Sequence, residues 1–172
     1  MTSPALPSTD EVWRWLGEVP DPEIPVVSLT DLGIIREVAH EGGTLVVTLT
    51  PTYSGCPATS VIALDVEAAL RAHGVEKLRV ERRLSPAWTT DWITPDAREK
   101  LRDYGIAPPI DGTAADGQRR AASLASGSNL AVACPRCGSR ETQKVSQFGS
   151  TPCKAHYRCT ACLEPFDYFK CI

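Results

Sequence analysis

No apolar run in this 172-residue chain approaches the roughly 20 residues needed to cross a bilayer, which excludes a helical integral membrane protein. The opening MTSPALPSTDEVW has no basic n-region and no long apolar h-region, so no secretory signal is expected and the expected location is cytoplasmic. There are no paired Glu-x-x-His motifs for a di-iron site and no Gly-rich dinucleotide fingerprint, which argues against an oxygenase or a reductase. No Ser/His/Asp or Cys/His constellation is recognisable among only three histidines, so a thiol hydrolase is poorly supported. The first 133 residues are also nearly free of cysteine, holding only Cys56 of the seven present.

The other six cysteines fall between Cys134 and Ile172, and the charge divides at the same place. Residues 1–130 carry 12 basic and 18 acidic side chains, whereas 131–172 carry 6 and 3. Two pieces of different chemistry are thus joined. With 42% hydrophobic residues the chain can build a core, and a net charge of −3 argues against a dedicated duplex-DNA binder.

The pattern predicts a small α+β domain over 1–104, a linker over 105–130 and a zinc ribbon over 131–172. Ser8-x-x-Glu11 has the form of a capping box, with Val12, Trp15, Leu16 and Val19 at helical spacing behind it. Pro20, Pro22 and Pro25 stop that helix. Alternation over 33–39 and 45–50 about Glu41-Gly42-Gly43 predicts a hairpin. A long helix over 58–72 should pack on a sheet, a third strand is expected over 75–84, and Thr94-Pro95 opens a short helix. The expected architecture is helix–hairpin–helix–strand–helix, an antiparallel or mixed sheet with helices on one face. Residues 105–129 are rich in Gly, Ala, Ser, Pro and Asp without periodicity and read as linker.

In the tail, Cys134-Pro-Arg-Cys137 and Cys159-Thr-Ala-Cys162 are two C-x2-C knuckles 21 residues apart. Two such turns supply four thiolates to one tetrahedral ion, and the span between them can form an antiparallel strand pair. A piece this small lacks the core to fold alone, and a metal supplies the missing free energy. Zinc is favoured, although thiolates also permit mononuclear iron or an iron–sulfur cluster. Cys153 and Cys171 are open between redox partners, additional ligands and small buried residues, and His156 is expected to be structural or exposed.

Cys56 precedes Pro57 at the predicted start of the long helix. Free N–H groups and the helix dipole there favour an anion, which would lower the thiol pKa. An incidental buried cysteine also fits that position. Asp21, Glu23 and Asp31 could form a carboxylate cluster, but a solvated loop with a strand-leading Asp is the expected reading. Trp88 and Trp92 suggest either a lid over the core or a protein-binding surface.

Asp21-Pro-Glu23-Ile-Pro25, then Asp31-Leu-Gly-Ile-Ile35, then the Thr50–Cys56-Pro57 loop before a helix resemble the small domain of iron–sulfur assembly accessory proteins. Ser85-Pro-Ala-Trp88-Thr-Thr-Asp-Trp92, the knuckles and the ending Glu164-Pro-Phe-Asp-Tyr-Phe-Lys-Cys-Ile172 are similar to one subfamily, accessory to the phenylacetyl-CoA ring 1,2-epoxidase of phenylacetate catabolism. The similarity spans almost the whole chain outside the linker.

That resemblance implies an accessory protein and not a catalyst, which helps assemble an iron–sulfur or di-iron centre in a partner. The implied partners are epoxidase subunits or the iron–sulfur assembly machinery, with a homodimer left open and no membrane. Cys56, with Asp21 or Glu23 nearby, would transiently hold an iron–sulfur cluster unit or contact its donor, while the zinc ribbon docks a client or stabilises the fold. Two competing readings remain. In one, the basic ribbon binds nucleic acid through Phe148, Tyr157, Phe166, Tyr168 and Phe169. In the other, Cys56 performs thiol or thioester chemistry on a CoA compound.

Overall fold

The computed structural model describes residues 6–110 and 131–170. The chain divides into two compact units, 1–88 and 89–172.

The first unit opens with α1 (Thr9–Leu16), capped as the sequence predicts. Ser8 Oγ accepts from the Glu11 N–H at 3.3 Å, and the Glu11 carboxylate accepts from the Ser8 N–H at 2.9 Å. The hairpin follows as β1 (Ile35–Glu41) and β2 (Thr44–Leu49), then α2 (Thr59–Ala72) and β3 (Leu78–Arg82). β1 runs antiparallel to β2, whereas β3 lies parallel to β2 on its other side, because α2 carries the chain back across the sheet.

β2 is buried on both faces. Leu45 and Val47 share a face with Leu78 and Val80, and α1 packs against β1 and α2 against β3. The apolar stripes Val12–Leu16 of α1 and Ile62–Val66–Leu70 of α2 are buried. On the opposite face Val46 and Thr48 are each 3% exposed. Arg79 reaches over β2 to Glu41 at 2.6 Å while also holding Glu81, and Arg83 reaches Glu37 at 2.9 Å. These ion pairs are about half exposed, so as charge pairs they contribute little. These pairs lie on the face that carries Val46 and Thr48, since Arg79 opposes Val46 and Glu37 opposes Thr48.

Of the two tryptophans in the following loop, Trp88 belongs to the core. It is 2% exposed, and its indole N–H donates to the Leu32 carbonyl at 2.9 Å. That hydrogen bond ties the loop to the turn before β1.

The second unit holds a short 3-10 turn at Thr90–Trp92, then α3 (Pro95–Tyr104). Thr94 caps α3 through its hydroxyl, and Gly105 ends it in the left-handed conformation at φ 94°. Its four-stranded sheet has the order β4-β7-β6-β5, from β4 (Ile106–Ala107), β5 (Thr142–Ser146), β6 (Lys154–Cys159) and β7 (Pro165–Phe169). β4 lies inside the stretch that composition assigns to linker. Two residues are too few to show periodicity, but Ile106 and Ala107 are buried and pair in parallel with Asp167 and Tyr168 of β7.

The ribbon core is small: Ala107, Val132, Cys134, Cys159, Phe166 and Tyr168, with Tyr157 packed against them. The Tyr157 and Tyr168 rings meet edge to face at 5.5 Å. Phe166, Tyr168 and Phe169 are all buried, so they are structural rings and cannot present faces to bases.

Candidate metal centre and thiol loop

Two constellations carry chemistry, one in each unit. In the ribbon both knuckles are built by the same local bonds. The Cys134 N–H donates to the Ser139 carbonyl and the Cys159 N–H to the Glu164 carbonyl, each at 2.9 Å. Each closed turn points its two sulfurs the same way. Sγ of Cys134 lies 3.8 Å from that of Cys162, and Sγ of Cys137 lies 3.6 Å from that of Cys159. All four sulfurs lie within 4.8 Å of one another.

A regular tetrahedron with metal–sulfur bonds near 2.3 Å has edges of about 3.8 Å, so the spacing fits a single four-thiolate ion. The electrostatics agree with the spacing. The Cys162 N–H points at the Cys159 sulfur from 3.5 Å and, with the Ala161 N–H, lowers that thiol to about 7. Although the Glu164 N–H favours its thiolate, Cys162 is pushed up to about 12 by lost hydration and by its three sulfur neighbours. Four thiolates so close resist ionising together unless a cation sits among them. The arrangement suits a single tetrahedral metal ion.

Cys153 is not part of this cluster. It is buried, with its Sγ 3.0 Å from Thr151 Oγ1. Cys171 lies outside the described residues. His156 is half-exposed at 3.4 Å from the Asp167 carboxylate, also away from the four sulfurs.

In the first unit the structure brings Cys56, Asp21 and Glu23 together, but the thiol does not behave as its position in the sequence suggests. α2 begins at Thr59, three residues beyond Cys56, so the cysteine lies in the turn that leads into the helix. The Cys56 N–H donates to the Tyr53 carbonyl at 3.1 Å, and the Thr59 hydroxyl donates back to the Cys56 carbonyl at 2.9 Å. The thiol is half-buried and its pKa is raised, correcting the expectation of a lowered one. Loss of water is the main cause, and the negative charges of Glu23 and Asp21 add to it. The Ala58 N–H and Thr59 favour the thiolate but do not outweigh them.

Asp21 is not a solvated loop residue either. It is 6% exposed, and its Oδ1 accepts from the N–H groups of Glu23 at 2.9 Å and Ile24 at 2.8 Å. Asp31 is tied to Ser28 by reciprocal bonds, carboxylate to Ser28 N–H at 3.1 Å and Ser28 hydroxyl to Asp31 N–H at 3.0 Å. The repeated Asp/Ser-x-x pattern of these turns is visible in the sequence, as is Thr59, whose part in fixing Cys56 sequence reasoning missed. Neither nearby histidine serves the thiol. His73 stacks on Trp15 at 4.1 Å, and His40 bonds the Pro7 carbonyl at 2.9 Å. Among the described residues no helix is long and apolar enough to cross a membrane.

Residues 9–81 match the family model described as iron–sulfur cluster assembly protein, and residues 118–170 match the PaaD zinc beta ribbon domain. The chain is 51% identical over 168 residues to an Escherichia coli protein named as a putative subunit of 1,2-phenylacetyl-CoA epoxidase, covering 98% of this chain and 96% of that one. It is 33% identical over 103 residues to an Fe-S protein maturation auxiliary factor of Porphyromonas gingivalis, covering 59% of this chain and 97% of the relative. A crystal structure of a domain of unknown function, DUF59, from Bacillus anthracis has 29% identity and a TM-score of 0.49, over 54% of this chain and 89% of that one.

Proposed function

Since the chain belongs to the PaaD family of phenylacetyl-CoA epoxidase proteins, we propose that it matures a metal centre in that epoxidase and is not itself the catalyst. Its cargo is an iron–sulfur unit, received and passed on at Cys56 with Asp21 and Glu23. The clients are epoxidase subunits, and zinc is the resident ion of the ribbon.

The observation that carries this reading is the raised Cys56 thiol beside two carboxylates. A resting thiolate would suit a nucleophile. A thiol held protonated by lost hydration, with two negative neighbours adding to it, suits a different task. Those carboxylates oppose the thiolate only while no cation is present. A cationic iron species reverses the field, so that Glu23 and Asp21 attract it and the thiol gives up its proton as sulfur binds. Release then follows reprotonation, which keeps the bound state transient.

In the ribbon, Cys134, Cys137, Cys159 and Cys162 would hold zinc, which offers closed-shell tetrahedral bonding and no redox chemistry. The chain's own contribution there is to orient four sulfurs and to lower one of them, Cys159, for loading. The PaaD ribbon match and the iron–sulfur assembly match over 9–81 support assigning the two units these separate tasks.

The test is Cys56→Ser in cells growing on phenylacetate, with iron and sulfide measured in the purified epoxidase subunits. Under-loaded centres are expected. Full loading would reject the cargo role of Cys56. Metal analysis of the same variant should still give one zinc per chain.

A further inference from the structure

The sheet of the second unit ends at β5, a polar edge strand that exposes one apolar side chain, Val145, shortly before a second, Phe148. Val145 is 60% exposed and Phe148, in the loop just beyond, is 64% exposed. Val145 sits at an irregularity in the pairing, since Lys144 opposes Tyr157 while Ser146 opposes His156. That bulge interrupts the ladder and so blocks pairing with another strand along this edge.

Phe148 is exposed but held in place. Its N–H donates to Ser146 Oγ at 3.2 Å, and the Gly149 N–H donates to the Lys154 carbonyl at 2.8 Å. A Cβ at Gly149 would stand 2.5 Å from Asp167 Oδ1, so the turn is set closely against β7. Lys144 Nζ bonds Gln147 Oε1 at 3.2 Å, Lys170 Nζ bonds the Gln147 carbonyl at 3.1 Å, and the Lys170 ammonium lies 4.7 Å from the Phe148 ring centroid. Residues 142–150 contain no acidic side chain. The nearby carboxylate Asp167 is engaged by Ser150, His156 and Lys154.

We propose that this tip, Val145 and Phe148 flanked by Lys144 and Lys170, is the surface through which the ribbon docks a client protein. The partner's surface has an apolar notch rimmed by carboxylates. An exposed ring fixed in advance loses little freedom on binding, and lysines around it steer an acidic surface into register. Single-stranded nucleic acid fits less well. It needs successive ring faces along a cationic track, whereas the three rings of β7 are buried and Tyr157 packs against two of them, so at this tip Phe148 stands beside an aliphatic side chain.

This inference rests on the epoxidase subunits being the clients. The experiment measures binding of the full chain to the co-purified epoxidase subunits by interferometry, for wild type, Val145→Ser/Phe148→Ser and Lys144→Glu. Zinc content of each variant confirms that the ribbon is folded. At least about a tenfold loss of affinity is expected for the double variant, with a smaller, salt-sensitive loss for Lys144→Glu. Wild-type binding that the double variant retains overturns the tip while leaving the client assignment standing. If wild type fails to bind the subunits, the client assignment falls, and this docking role with it. Tight binding of a labelled single-stranded oligonucleotide, lost in the double variant, overturns the protein partner in favour of nucleic acid.

Discussion

Leu163 occupies in the second knuckle the place that Gly138 occupies in the first, and both lie in the left-handed region, at φ 66° and 74°. Each directly follows the second cysteine of its C-x2-C turn. The backbone needs that conformation to close the turn and return the chain to the sheet, and only in the first knuckle is the residue suited to it. A left-handed non-glycine residue costs about 1–2 kcal/mol, and Leu163, 60% exposed, recovers little of this by packing. Leu163→Gly adds about 0.4–1 kcal/mol of unfolded-chain entropy, less than the strain it removes. The ribbon is therefore expected to bind zinc more tightly, by a few-fold. Competition with a chromogenic chelator checks this, and an unchanged or weaker affinity counts against strain at Leu163.

The four-sulfur site implies that the ribbon depends on its ion. Among the described residues its core cluster is small and includes Cys134 and Cys159 of the four-sulfur group. Cys159→Ser, or stripping with a strong chelator, is expected to release one zinc per chain and to expose the amides of β5, β6 and β7 to hydrogen exchange. Amides of β2, the buried central strand of the other unit, should keep their protection. Equal loss in both units would refute the assignment of separate supports.

The raised Cys56 thiol gives a pH signature. Its folded pKa lies above that of the unfolded chain, so its contribution to stability is complete below the unfolded thiol's pKa. It is lost as pH rises through the folded value. Alkylation by iodoacetamide should accordingly reach half its maximal rate at a higher pH for Cys56 than for a free cysteine. Glu23→Gln removes one of the opposing charges and is expected to move that midpoint down. A midpoint at or below that of the free thiol would show that the N–H groups at the start of α2 prevail after all.

The ribbon was legible in the sequence because metal chemistry fixes spacing. Four cysteines in two C-x2-C turns leave few other arrangements, and the sulfurs lie where a tetrahedron requires. α1 and the hairpin were legible because capping and alternation are local. What sequence could not place was set by contacts distant along the chain. Ile106 and Ala107 have no pattern of their own and become β4 only because β7 lies beside them. Trp88 is a core residue through a carbonyl 56 positions away, at Leu32. The Cys56 thiol was misjudged because a short distance from the helix start reverses the balance between dipole and desolvation, and because Glu23 and Asp21 come from an earlier turn.

Asp21 has two separable tasks, and substitution can distinguish them. Its Oδ1 holds the N–H groups of Glu23 and Ile24, and its charge raises the Cys56 thiol. Asp21→Asn keeps an acceptor oxygen for both N–H groups while removing the charge. Asp21→Ala removes both and leaves two N–H groups in a buried turn without that partner, at a cost of about 1–3 kcal/mol. Urea unfolding should show Asp21→Ala clearly destabilised and Asp21→Asn close to wild type. Both should lower the alkylation midpoint of Cys56, and iron loading of the client should fall in both. If Asp21→Asn left iron loading unchanged while shifting the midpoint, the charge would be dispensable for cargo, and the carboxylate's contribution would reduce to holding the turn.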